Sequence, residues 1–400
     1  MSPVVSPIMR LRPWLRAYAT RPRFLALAAF LFAGDLKADP RLAWFPVDLT
    51  LLTGALLTGV LAVRFLRGAR LRSLDGPALV LFWFLTFVPG LFQAVDSPYG
   101  FQKIATIFTF TLLSALAPLF LVDDDGDLIR LMNALACFCL AITCGGLFGS
   151  TPETERLQAF GAGTISLGRA TGLLFTYAAI ALAGDSPLPG LTFGILGLAG
   201  VTALFSGSRG PILAALAVLA LLFGAGRMRL GPRLARLAAA GGVFALVLAG
   251  SLSLAPKGSL ARVEAFFHGQ YGASETYRVS ALHAAWELVG DAPWGIGWAG
   301  FATRVDPERG VGRQYPHNLL AEVTLESGWI CGAVTLLVLL AAAGAAWSRT
   351  GTPGGRVVFA GTVFYLINAM VSGDVNDNRP LFMFVTSALM LWRLPARVAP

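Results

Sequence analysis

Apolar runs of about 18–22 residues recur from one end of this chain to the other, each long enough to cross a hydrocarbon core. The chain is 56% hydrophobic and 13% charged, against about 25% charged in soluble domains. The sequence therefore reads as an all-α polytopic membrane protein. Its runs fall near 24–34, 46–66, 76–95, 101–122, 128–149, 165–184, 188–206, 209–225, 236–255, 316–346, 356–373 and 380–394. That predicts about twelve transmembrane helices: nine within 1–255, one large outer loop over 256–315, and three within 316–400. The short first run follows an arginine-rich tail but lacks a small-x-small cleavage site, so it reads as a first helix rather than a signal peptide.

A formal charge of +9 could suggest nucleic acid, but the arginines cluster between the apolar runs, where orientation signals sit. Nucleic acid is excluded on that ground. With the N-terminus inside, eighteen of the 31 cationic residues fall on the cytoplasmic side. Thirteen fall outside, six of them in the long loop, which leaves seven in short loops. The positive-inside rule then puts 256–315 on the extracytoplasmic side of the membrane. Cys137, Cys139, Cys144 and Cys331 all lie inside apolar runs with no CxxC pair, so they read as buried small hydrophobes. Within the loop, residues 276–290 carry helical apolar spacing at Val279, Leu282, Ala285, Trp286 and Val289. An amphipathic helix lying on the membrane surface is expected there.

Chemistry concentrates in the stretch from Tyr315 to Gly328. Pro316 favours a helix start, which places His317 in the first helical turn at the outer membrane boundary. An imidazole there titrates near neutrality and reaches both water and a lipid headgroup. Asn318, Glu322 and Glu326 follow at spacings of four, a polar stripe on one helix face. Ionisable groups inside a span are functional candidates by default; the alternative is a structural ion pair with an arginine such as Arg209 or Arg379. Glu322 lies roughly 140° around the helix from His317, so the group that orients the imidazole must come from elsewhere. Arg169, Arg209, Arg262 and Arg278 all fall on the outer side, and guanidinium suits bidentate phosphate contact. As a set they point to an anionic lipid headgroup; singly, each could be an interfacial anchor. The acidic run Asp123–Asp127 has the look of a metal motif, but it lies on the cytoplasmic side and suits a helix N-terminus. His268 and His283 lack ligands at zinc spacing. Neither a metal nor a cofactor is expected.

Three stretches resemble the bacterial O-antigen ligase/O-antigen polymerase superfamily. Gly207-Ser208-Arg209-Gly210 before an apolar helix is similar to its SRG span. Pro293-Trp294-Gly295-Ile296-Gly297 through Phe301 is similar to its P-x-G-x-G-x-x-x-F segment. His317-Asn318 with Glu326 and Gly328 resembles its HN…E-x-G pattern. Arg278…Leu282 and His317…Gly328 also fit the R-x3-L and H-x10-G motifs of the ligase branch. The resemblance covers roughly 165–335; the first five spans match in hydropathy alone.

The resemblance implies a GT-C-like, inverting, metal-independent glycosyltransferase. Its donor would be glycan on undecaprenyl pyrophosphate and its acceptor lipid A–core oligosaccharide. His317 and Arg278 would be the catalytic pair, with Arg209, Arg169, Arg262, Asn318, Glu322 and Glu326 binding substrate in a monomer within the bilayer. A polymerase of the same superfamily is the near alternative, disfavoured by the short 149–165 loop. A transporter with Arg209, Glu322 and Glu326 along its path is the alternative from another class.

Overall fold

The computed structural model describes residues 20–68, 75–148, 150–151, 156–184, 186, 188–228, 273–305 and 314–394. The expected span at 236–255, Arg262 and His268 lie outside these residues. The described chain is helical apart from a two-residue antiparallel ladder, Ser150–Thr151 (β1) with Arg156–Leu157 (β2), at the 149–165 loop.

Helices occupy the expected runs. They are α1 (Pro22–Leu36), α2 (Leu49–Leu66), α3 (Asp75–Phe87), α4 (Pro98–Leu121), α5 (Asp125–Leu147), α6 (Thr164–Ala183), α7 (Pro189–Phe205) and α8 (Arg209–Gly224). After them come α9 (Ala273–Asp291), α10 (Gly300–Val305), α11 (Leu319–Ser327), α12 (Trp329–Ser348), α13 (Pro353–Ala369) and α14 (Arg379–Met390). Proline opens α1, α4, α7 and α13, where its missing N–H costs nothing. Among the described residues, α2, α4, α5, α6 and α12 are long and apolar enough to cross a membrane; α7 and α8 are shorter apolar helices. Only 22% of the apolar window of α2 is buried, and Leu51, Leu56 and Leu66 stand exposed on it. An apolar helix that shows its side chains outward fits a lipid surround, as expected of a multi-pass membrane protein.

The expected single span at 316–346 is instead two helices. Gly328 has φ +103° between α11 and α12, a conformation that side-chain-bearing residues seldom adopt. A Cβ there would lie 2.9 Å from the Trp294 carbonyl carbon, so the loop packed across the break also demands glycine.

The chain divides into two compact units, 1–53 with 126–263 and 54–125 with 264–400. In the first, Ala178, Ala179, Leu182 and Leu196 join α6 to α7, with Leu219 of α8 packed against them. Asp127, fully buried, ties α5 to α1 through Arg23 at 2.6 Å and takes Arg130 at 2.7 Å. In the second unit, Trp83 and Phe87 of α3 stack among Phe382 and Trp298, and α11 packs against α9 and α12. Asp123 pairs with Arg64 at 2.7 Å. Asp125 accepts from the Thr352 hydroxyl at 2.7 Å and the Gly354 N–H at 3.1 Å, capping the start of α13. Asp123, Asp125 and Asp127 thus each hold helices together.

Candidate functional site

α11 is short and buried nearly all round: Leu319, Ala321, Val323 and Leu325 are each fully enclosed. Its first turn is closed by Asn318, whose side chain accepts from the Ala321 N–H at 3.0 Å and donates to the Met370 carbonyl at 3.0 Å. Asn318 is therefore the N-cap. His317 lies one residue before the N-cap, outside the helix, and not in its first turn as the proline had suggested. Its backbone sits at φ +57°, a left-handed conformation uncommon outside glycine and a marker of sites where surrounding structure imposes strain.

The half-buried imidazole is flanked by two rings. Tyr315 lies 4.3 Å away, centroid to centroid, and Tyr277 of α9 meets it edge-on at 5.8 Å. Glu322 instead points its carboxylate at Lys103, away from any role beside the imidazole.

Arg278 follows Tyr277 on α9. It is half-buried and lies one turn before Ala281 on the inward stripe of Ala281, Ala285 and Val289, which packs on Ala321 and Leu325 of α11. The expected apolar residues therefore divide between two sides of α9. Leu282 packs partly against this core, but Val279 is 66% and Trp286 49% exposed. The inward stripe is narrower and made of small residues, because α9 approaches another helix closely along it. Tyr277 meets His317 from α9, and Arg278 is the next residue along that helix.

Glu322 and Glu326 have no solvent exposure. Their partner is neither of the arginines proposed for them but Lys103 of α4, itself fully buried. Lys103 Nζ lies 2.6 Å from Glu322 Oε1 and hydrogen-bonds to Glu326 Oε2. It also stands 5.3 Å over the Trp298 ring and 5.7 Å over the Tyr99 ring, which suits a cation away from water. Sequence reading passed over Lys103 by counting it among the short-loop cations. A lone lysine two residues into an apolar run was the available signal.

The Pro293–Phe301 stretch lies across the C-terminal end of α11. The N–H groups of Ile296 and Gly297 donate to the carbonyls of Leu325 and Glu326 at 2.9 and 3.0 Å, two acceptors that the helix end leaves open. Trp298 N–H donates to the Gly90 carbonyl at 2.9 Å, and its indole donates to the Phe87 carbonyl at 2.8 Å. His317 and Gly328 therefore bracket α11, and the glycine-rich loop fastens its far end.

Arg169 and Arg209 belong to the first unit. Arg209 is the first residue of α8 and Arg169 lies in the second turn of α6; both are half-buried. Their neighbours touch: Ser208 Oγ donates to the Thr164 carbonyl at 2.8 Å, and a Cβ on Gly168 would lie 2.6 Å from that of Ser208. The two guanidinium-bearing helix starts are thus side by side. His283 instead sits on the exposed face of α9, 3.4 Å from Glu287. Among the described residues, no three His, Cys, Asp or Glu side chains are grouped to hold a metal ion.

No curated protein matches the chain. The O-antigen ligase family model matches residues 194–337, a segment that contains Arg209, Arg278, His317 and Gly328 and leaves out Arg169 and Lys103. Over that segment, about a third of the chain, the protein is similar to the O-antigen ligase/polymerase superfamily.

Proposed function

We propose that the protein is an O-antigen ligase. It transfers glycan from undecaprenyl pyrophosphate to lipid A–core oligosaccharide at the periplasmic face of the inner membrane. The observation that supports this reading is the packing of α9 on α11, in which Tyr277, the neighbour of Arg278, meets a strained His317 ring to ring. Neutral His317 takes the proton from the acceptor hydroxyl as that oxygen attacks C1 of the donor sugar. The C1–oxygen bond to pyrophosphate breaks from the opposite side and its electron pair leaves with the pyrophosphate, so the configuration inverts. Arg278 meets the charge that develops on the leaving group. Arg169 and Arg209 are a second cationic pair suited to an anionic headgroup.

Purified protein given lipid-linked glycan and lipid A–core in detergent should cap the core. Glycan chains lengthened on the carrier without any core product would make it a polymerase instead. Flux into liposomes with no new glycosidic bond would make it a transporter.

Arg278→Lys keeps the charge but loses the planar fork. It should weaken both donor binding and turnover, each contact being worth roughly 1.5–3 kcal/mol or about 10- to 150-fold. Titration of the lipid pyrophosphate beside single-turnover rates checks this; wild-type values for both would remove Arg278 from the site. Orientation has its own measurement. Single cysteines replacing Gly290 on α9 and Gly126 at the start of α5, in a background lacking native cysteines, should differ in intact spheroplasts. An impermeant thiol reagent should reach the first and spare the second; the reverse pattern would invert the topology.

A further inference from the structure

Lys103, Glu322 and Glu326 form a buried charge cluster with more carboxylate than ammonium, all three side chains at 0% exposure. Such a cluster is a poor device for stability alone, since well-packed apolar residues in its place are often neutral or better. What it supplies is a fixed geometry. Rotating or sliding α11 would strand a charge in an apolar shell, so the helix has one register.

The rest of the surroundings hold the same register. Lys103 precedes a π-helical turn, Ile107–Thr111, inside α4; such turns are frequent at functional sites. The Asn376 side chain bridges that turn, donating to the Lys103 carbonyl at 3.0 Å and accepting from the Thr111 hydroxyl at 2.8 Å. Asn376 lies in a 3₁₀ turn, Val375–Asn378, that Asp374 and Asp377 cap reciprocally. The chain just before it supplies Met370, whose carbonyl takes the Asn318 side chain. The charged face of α11 and its N-cap are therefore anchored to α4 and to the 370–378 segment, and His317 is joined directly to that cap.

We infer that Lys103 is a positioning residue for His317, holding the imidazole at its working height and angle by locking α11 through Glu322 and Glu326. The inference rests on the reading of His317 as the base, and it takes its key residue from outside the segment that the family model matches. Displacing a reacting group by about 1 Å can cost on the order of 10²-fold in rate.

Lys103→Met alone would leave two buried carboxylates without a counterion and would not fold. The informative variant is the neutral triple Lys103→Met, Glu322→Leu, Glu326→Met. Glu322→Gln is the second, since it keeps a one-to-one pair of Lys103 with Glu326. Two readouts are taken: kcat and KM for the lipid-linked donor, and the imidazole proton resonance of His317. That resonance is ring-shifted by Tyr315 and Tyr277 and is identified by its loss in His317→Ala, the chain having only three histidines. In the triple variant kcat should fall about 10- to 100-fold at unchanged KM. The His317 resonance should move while that of His283 stays, with smaller changes of the same kind in Glu322→Gln. If whichever variant folds keeps the wild-type kcat and His317 resonance, Lys103 merely neutralises charge and the inference is overturned. Full transfer by His317→Ala would instead defeat the general-base reading. The resonance would still report on Lys103, because it needs no substrate.

Discussion

His317→Ala is expected to fold normally, hold the lipid-linked donor with nearly unchanged affinity, and lose transfer by about 10²–10⁴-fold. Folding should survive because Asn318, not His317, closes the first turn of α11, and the imidazole is only half-buried. Affinity should survive because a neutral base contributes little to holding the ground state, whereas the acceptor proton has nowhere to go once it is gone. Alanine at φ +57° carries a strain of roughly 1–2 kcal/mol, so His317→Asn is the matched control. Asparagine tolerates the left-handed conformation and cannot act as the base at neutral pH. Both variants should bind and fail to react. A well-folded His317→Ala or His317→Asn with near wild-type turnover would reduce His317 to a helix-start residue and end the mechanism proposed here.

Gly297→Ala should be the most damaging conservative change in the second unit. Gly297 has φ +80°, and a Cβ on it would run into the carbonyl of Gln93, with Ala94 N only 2.6 Å away. Those contacts are backbone and cannot swing aside. Left-handed strain and overpacking together should cost about 2–5 kcal/mol. Melting in detergent and the yield of monodisperse protein measure the loss. Gly290→Ala is the control: a Cβ there meets nothing within 4 Å, and alanine is the better helix former, so its melting temperature should hold or rise slightly. Equal melting of Gly297→Ala and wild type would mean that the loop is not clamped against 93–94 as described. Lost activity in a variant that still melts normally would assign the loop to chemistry instead.

The positions of the helices were legible in the sequence because each apolar run bounds its own helix. Leu49–Leu66, Thr164–Ala183 and Arg209–Gly224 lie within three residues of the runs read at 46–66, 165–184 and 209–225. The same holds for residues whose task is local. Proline at the starts of α1, α4, α7 and α13 and the pairing of His317 with Gly328 across one short helix are matters of spacing along the chain. The resemblance motifs were legible for the same reason, and the matched family segment contains each of them.

What escaped were contacts between residues far apart in the chain. Glu322 and Glu326 announced that a cation was needed, but nothing in their spacing could choose between Arg209, Arg379 and Lys103; the choice fell on a lysine 223 positions from Glu326. The run at 316–346 reads as one span because hydropathy does not register a backbone dihedral, whereas the loop at Trp294 packs across Gly328 and breaks the helix there. The inward stripe of α9 also could not be told from its outward apolar residues, since both faces carry hydrophobic side chains and only packing on Ala321 and Leu325 distinguishes them. The sequence by itself determined where helices form, because hydrophobic run length and helix-end chemistry act within a few residues. Tertiary structure alone decided which buried charges meet and how His317 is held, because buried electrostatics and packing depend on distances in space that the order of residues does not contain.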